Sequence, residues 1–257
     1  MGNRSFFIMA LLALPVLAQA GDRRVATQVA AAKRAQLVEQ LGSWGTRSTD
    51  AAAELERLAE QALQAEGQHA SCRALDVTQL HDMQAFVEHA ETHHGAVDVI
   101  INNAGVMPLS PLNALKVDEW NRMLDVNVRG VLHGIAAVLP GMEARGHGQV
   151  INIASIGAHA VSPTAAVYCA TKYAVWAISE GLRLESERIR VTTICPGVVE
   201  SELAESISDA SAREAMKAFR RIAITPDAIA RAVAYAVEQP DDVDVSELIV
   251  RPTASPY

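Results

Sequence analysis

The sequence predicts an α/β domain built around a parallel sheet, and three observations carry that reading. Apolar runs of strand length, such as Val97-Asp98-Val99-Ile100-Ile101 and Val150-Ile151-Asn152-Ile153, recur between longer stretches with helical spacing. These runs are nearly continuous rather than alternating, as in strands covered on both faces. Finally, half of the 257 residues are apolar but only 4% aromatic, so the core must be aliphatic and alanine-rich, which suits helices packed on a Val/Ile sheet. A chain of this length fits one large domain with a sizeable core.

Charge and cysteine usage remove several classes of function. A formal net charge of -8 leaves no basic footprint for nucleic acid. Cys72, Cys169 and Cys195 are odd in number and form no CxxC pair, which argues against a disulfide framework and against a zinc site. They read as free thiols, and Cys169 as a packing residue. His81, His89, His93 and His94 read as an exposed helix face, because no acidic or cysteine ligand accompanies them at a motif spacing. No metal is therefore expected.

At the N-terminus, Arg4, the apolar run at 6–14, Pro15 and Ala18-Gln19-Ala20 before Gly21 have the parts of a signal peptide; a buried first strand is the competing reading. The first implies export and the second a cytoplasmic protein. Residues 51–66 carry Leu55, Leu58 and Leu63 on one side of a helix that Gly67 ends. Residues 73–78 look like a short strand ending in an N-cap Thr78, before a helix at 80–94. The strand at 97–101 closes with Asn102-Asn103-Ala104-Gly105, small residues at an edge where ligands of open α/β sheets bind, although the same residues also serve in plain turns.

Residues 117–144 read as one long helix with Trp120, Met123, Leu124, Val128, Val131 and Leu132 at core spacing, and Asn127 interrupts its apolar face. A buried amide must find partners, either structural or as part of a polar relay. The strand at 150–153 empties into a loop holding Ser155, and a strand at 190–195 leads into Pro196-Gly197-Val198-Val199-Glu200-Ser201. Residues 203–224 have no chemical signature. Thr225, Pro226 and Asp227 open a last helix as N-cap, first helical position and first turn, and 247–250 is a last short strand.

The chemistry concentrates in Tyr168-Cys169-Ala170-Thr171-Lys172, preceded thirteen residues earlier by Ser155. On a helix the tyrosine and the lysine share a face, so the ammonium is expected to favour the ionised phenol. Ser155, Tyr168 and Lys172, together with Asn102-Asn103-Ala104-Gly105, Asn127 and Pro196-Gly197, resemble the short-chain dehydrogenase/reductase family from about residue 54 to about residue 252.

The resemblance implies a Rossmann-like, doubly wound, three-layer α/β/α fold and a nicotinamide-dependent oxidoreductase using NADP or NAD, with NADP slightly favoured. It implies that Tyr168 transfers the proton, Lys172 lowers its pKa and bonds the nicotinamide ribose, Ser155 orients the carbonyl, and Asn127 supports a water relay. It assigns Asp76 and Val77 to the adenine, and Asn102, Asn103, Ala104, Gly105, Pro196, Gly197, Val198 and Ser201 to cofactor contacts. The later half looks most like members acting on 3-hydroxy acids. Family members pair through the helices matching 117–144 and 165–187, whose surplus apolar residues include Trp176 and Ile178, so a homodimer or homotetramer is expected.

The pattern breaks before residue 51, which divides an atypical segment, 1–50, from the domain proper, 51–257. The Gly-rich turn expected near residues 24–34 is Arg-Val-Ala-Thr-Gln-Val-Ala-Ala-Ala-Lys-Arg, and the second strand expected near 45–50 has no apolar run. A shifted reading frame upstream of about Ala51 is one reading of right length with wrong residues, since a run of alanine codons read two bases later yields only Gly, Ser, Arg or Cys. A cofactor-deficient remnant of the family is the alternative to an active enzyme.

Overall fold

The computed structural model describes residues 25–27 and 71–255. Among these residues five parallel strands form one sheet in the order β1 (Val25–Thr27), β2 (Val99–Asn102), β3 (Gly148–Ile153), β4 (Ile189–Pro196) and β5 (Glu247–Val250). Alternate residues of the central strands feed two different cores. Ile100, Val150, Val191 and Cys195 pack with Val131, Ile135, Val138, Val175 and Leu182. Those partners lie on helices α3 (Gly130–Arg145) and α4 (Ala166–Glu185). Val99, Ile101, Ile151 and Ile194 point the other way, onto Val233, Ala236 and Val237 of α6 (Pro226–Glu238). This period-two division makes the three-layer α/β/α arrangement and explains why the strands look uniformly apolar in sequence.

The remaining α-helices among the described residues are α1 (Leu80–His94), which packs beside α3, α2 (Val117–Leu124), and α5 (Ala210–Phe219) in the segment between β4 and α6. No helix among the described residues is long and apolar enough to cross a membrane.

Several expectations are corrected. The single helix expected over 117–144 is α2 and α3 joined through a π-helical turn, Asp125–Arg129, that contains Asn127. Thr78 does not cap α1: its hydroxyl donates to Asp76 Oδ1 at 2.7 Å, and Gln79 holds the cap position. Only Leu75 among residues 73–78 pairs in β fashion. Residues 25–27, inside the stretch where the turn was expected, form β1 in register with β2, Val25 opposite Val99. The signal-peptide-like segment, the helix at 51–66 and the expected second strand lie outside the described residues.

A chain of buried polar side chains in this interior is tied together. Asn102 Nδ2 donates to Asn152 Oδ1 at 2.9 Å, Asn152 Nδ2 to Ser179 Oγ at 2.9 Å, and Ser179 Oγ to the Val175 carbonyl at 2.8 Å. The chain of bonds fastens β2 to β3 and β3 to α4. Helix α3 passes so close that a Cβ added at Gly134 would sit 2.0 Å from Asn102 Oδ1. Gly197 is required in the same sense, since a Cβ there would meet Arg251 Cβ at 2.7 Å while its N–H donates to the Val250 carbonyl at 2.8 Å.

Candidate active site

The carboxyl ends of β2, β3 and β4 bring most of the expected residues to one edge. Ser155 follows β3 and its Oγ accepts from the Gly157 N–H at 3.1 Å, which fixes the turn Ile156–Ala158. Its hydroxyl stands beside the Tyr168 phenol: a Cβ added at Gly157 would lie 3.5 Å from both Ser155 Oγ and Tyr168 Cε1, so the two meet through the fold despite the thirteen residues between them. Tyr168 lies in the first turn of α4 and is 9% exposed; Lys172, one turn on, is 5% exposed. Lys172 Nζ lies 5.8 Å from the Tyr168 ring centroid and donates to the Ile153 carbonyl at 2.8 Å.

Burial governs the protonation of this pair. Removal from water pushes the phenol up to about 12, against a lowering by the neighbouring Ser155 hydroxyl. The same loss of water holds the lysine down, to about 8. The ammonium is expected to favour the ionised phenol, but the phenol stands raised: burial is the largest influence on it, ahead of Ser155, which lowers it, and Cys169, which raises it. The phenol is held as a proton donor at neutral pH.

Asn127 projects from the π-helical turn, an insertion that re-aims a side chain without ending the helix. It exchanges bonds with the next loop, accepting from the Val106 N–H at 2.8 Å and donating to the Val106 carbonyl at 2.9 Å. Its Nδ2 also reaches Thr171 Oγ1 at 3.1 Å, and Thr171 Oγ1 donates to the Tyr168 carbonyl at 2.6 Å. Asn127 thus holds the backbone of α4 through Thr171, a buried residue that sequence reasoning passed over although it lies inside the stretch singled out. A Cβ on Gly105 would lie 3.6 Å from Asn127 Oδ1 and 3.8 Å from Lys172 Nζ, so the bare glycine faces both groups.

The expected cofactor residues divide by what their side chains already do. Asp76 Oδ1 accepts from the Thr78 N–H at 3.0 Å and holds the turn before α1. Val77 is buried beneath Gly130, and its carbonyl pairs with His133 at 2.9 Å. Asn102 is committed to Asn152, leaving the backbone of Asn103-Ala104-Gly105 as the surface at the end of β2. Pro196, Gly197, Val198 and Ser201 lead out of β4, and the Ser201 carbonyl accepts from Arg220 at 2.6 Å.

Above this edge, the segment after β4 closes against the loop after β2. Ser206 Oγ accepts from the Met107 N–H at 3.3 Å, and Ser208 bonds both Lys116 and Glu119. The residues at the nicotinamide end fit a dinucleotide. An ammonium has three donors, the Ile153 carbonyl takes one, and the remainder suit a ribose diol at the edge of β3.

The other sequence candidates have structural duties. Cys169 is buried and its thiol is pushed up by burial, and neither Cys169 nor Cys195 forms a disulfide. His81 and His93 are exposed as expected, but His89 and His94 are half-buried, both bonding Ser71 Oγ, at 3.1 and 2.9 Å.

An open parallel sheet with Ser155, Tyr168 and Lys172 gathered at its carboxyl edge is the architecture of a doubly wound oxidoreductase. The short chain dehydrogenase family model matches residues 35–212, more than half of the chain, and the chain belongs to that family. An uncharacterized oxidoreductase of Staphylococcus saprophyticus is 44% identical over 223 residues, 85% of this chain and 91% of that one. Another, from Listeria monocytogenes, is 43% identical over 224 residues, 84% and 90%. Among solved structures, the closed form of serine dehydrogenase complexed with NADP+ superposes with a TM-score of 0.75 at 27% identity, covering 95% of this chain and 90% of that one. A gluconate 5-dehydrogenase from Burkholderia cenocepacia, in complex with NADP and tartrate, gives 0.68 at 28%, covering 93% and 89%. The family match begins at residue 35, earlier than the resemblance legible by eye.

Proposed function

We propose that the chain interconverts an alcohol with a ketone or aldehyde, and that Tyr168 gives or takes the proton at the substrate oxygen. The juxtaposition of the Ser155 hydroxyl and the Tyr168 ring, beside the buried Lys172, carries this reading. Bound nicotinamide, NADP or NAD, would supply or accept the hydride at the substrate carbon. Ser155 orients the carbonyl toward the phenol, Lys172 offers its donors to the ribose and its charge to the developing phenolate, and Asn127 holds α4 in place through Thr171. Small hydroxy acids are the substrate class to try first, because serine dehydrogenase and gluconate 5-dehydrogenase stand among the structural relatives. The test is turnover of a hydroxy-acid panel by the purified chain. Tyr168→Phe should lower kcat by about a hundredfold or more while the circular dichroism spectrum is kept. A phenylalanine variant of near wild-type rate would remove Tyr168 from the mechanism.

A second reading, a cofactor-deficient member of the family, is favoured by where β1 lies. It ends at Thr27, beside β2, and the fourteen residues that follow in sequence, Gln28 to Leu41, contain no glycine. A phosphate loop needs backbone amides approachable by pyrophosphate, each such charge-assisted bond contributing about 1.5–3 kcal/mol, so losing two or three weakens binding by roughly a thousandfold or more. Titration with NADH and NADPH is expected to show that weakness and slow turnover. A dissociation constant in the low micromolar range would establish a working phosphate site of another design.

A further inference from the structure

Three side chains that chemistry would recognise as ligands converge beside the candidate site, and its mechanism uses none of them. His159 follows the turn after Ser155, Cys195 is the penultimate residue of β4, and Glu247 opens β5. His159 Nε2 lies 2.6 Å from Glu247 Oε1, and the Cys195 thiol donates to that same oxygen at 3.1 Å. All three ligand atoms lie within 4.8 Å of one another. One carboxylate oxygen therefore gathers an imidazole and a thiol, the arrangement in which a divalent cation can take the place of shared hydrogens.

We propose that His159 Nε2, Cys195 Sγ and Glu247 Oε1 form a binding site for a divalent transition-metal ion of the zinc type. The ligand set is one thiolate, one imidazole and one carboxylate, a mixture suited to zinc or cobalt and unsuited to calcium or magnesium, which prefer oxygen alone. With metal–ligand bonds of about 2.0–2.3 Å at tetrahedral angles, ligand atoms stand about 3.4–3.6 Å apart. Opening the 2.6 and 3.1 Å contacts by less than an ångström reaches that spacing.

His159 and Glu247 retain side-chain exposures of 33% and 29%, so an ion has a path in and water can complete the fourth position, while Cys195 closes the inner side. The exchange balances: the thiol releases one proton to solvent, the imidazole binds through its unprotonated nitrogen, and the carboxylate contributes its charge. Because Ala154, next to Ser155, donates its N–H to the carbonyl of Ile194, next to Cys195, at 2.8 Å, an ion here would sit behind the residue expected to orient the substrate carbonyl.

The test is a Co²⁺ titration of the full chain after treatment with a chelator, followed by absorbance and needing no enzymatic turnover. Wild type is expected to bind one equivalent with a thiolate-to-cobalt charge-transfer band and intense tetrahedral d–d bands, both lost on adding Zn²⁺. Cys195→Ser should lose the charge-transfer band, and His159→Gln, altering an accessible ring, should weaken binding about tenfold or more. If Cys195→Ser does not fold, the His159→Gln titration decides. Absence of a charge-transfer band in wild type, its persistence in Cys195→Ser, or an unchanged affinity in His159→Gln would overturn the site and leave a hydrogen-bonded clasp between the loop and β5.

Discussion

At the scale of single residues, the site places a lysine where its charge is costly. Lys172 titrates near 8 in the fold against 10.5 for the ordinary side chain, so the native state disfavours the charged form. The sign follows from linkage: a base depressed on folding costs stability most fully below its folded pKa, and the cost fades as pH rises toward the unfolded value. Lys172→Met, which keeps the bulk, removes that cost while losing the bond to the Ile153 carbonyl. The variant is expected to gain on the order of 1 kcal/mol at pH 7, with a smaller gain at pH 10, and to lose turnover. Chemical denaturation at the two pH values checks it, and a Lys172→Met protein less stable than wild type at pH 7 would show that the ammonium's contacts outweigh its burial.

Among the elements, α3 and α4 make contrasting demands of their glycines. Gly134→Ala drives a methyl group into Asn102 and disturbs the tie to Asn152; it should cost about 1–3 kcal/mol despite alanine's better helix propensity. Gly181→Ala meets nothing within 4 Å and should instead stabilise by about 0.5–1 kcal/mol. Thermal unfolding of both variants separates the two effects, and equal shifts would contradict the packing argument. Strands β2, β3 and β4 were legible in sequence because burial on both faces leaves an unbroken apolar run. Tyr168 and Lys172 were legible because four residues of helix fix their shared face. The π-helical turn was not, since one extra residue in a turn leaves the apolar periodicity of α2 and α3 nearly intact while rotating Asn127 toward Val106. Nor was the cap of α1, where Asp76 competes for the Thr78 hydroxyl. The His159, Cys195 and Glu247 cluster escapes any motif search because its members lie 52 and 88 residues apart and meet only across β4 and β5.

For the molecule as a whole, the outer faces of α2, α3 and α4 leave apolar side chains in solvent: Leu124, Leu132, Tyr173, Trp176 and Leu184 are all exposed. Ile178, expected to join them, packs against the inner core instead. We expect these faces to pair copies of the chain as a dimer or tetramer, as the family resemblance implies. Light scattering at micromolar concentration checks this, and a monomer would contradict it. The sheet has one more consequence, for the growing polypeptide. Its described strands stand in space in the order of translation, so from β3 onward each new strand docks on the one made just before it. Strand β4, buried along nearly its whole length, then waits about fifty residues for β5 to cover its open side. During that interval the ribosome holds out an apolar strand with a free hydrogen-bonding edge, and the stretch 197–246 sets how long the nascent chain remains adhesive.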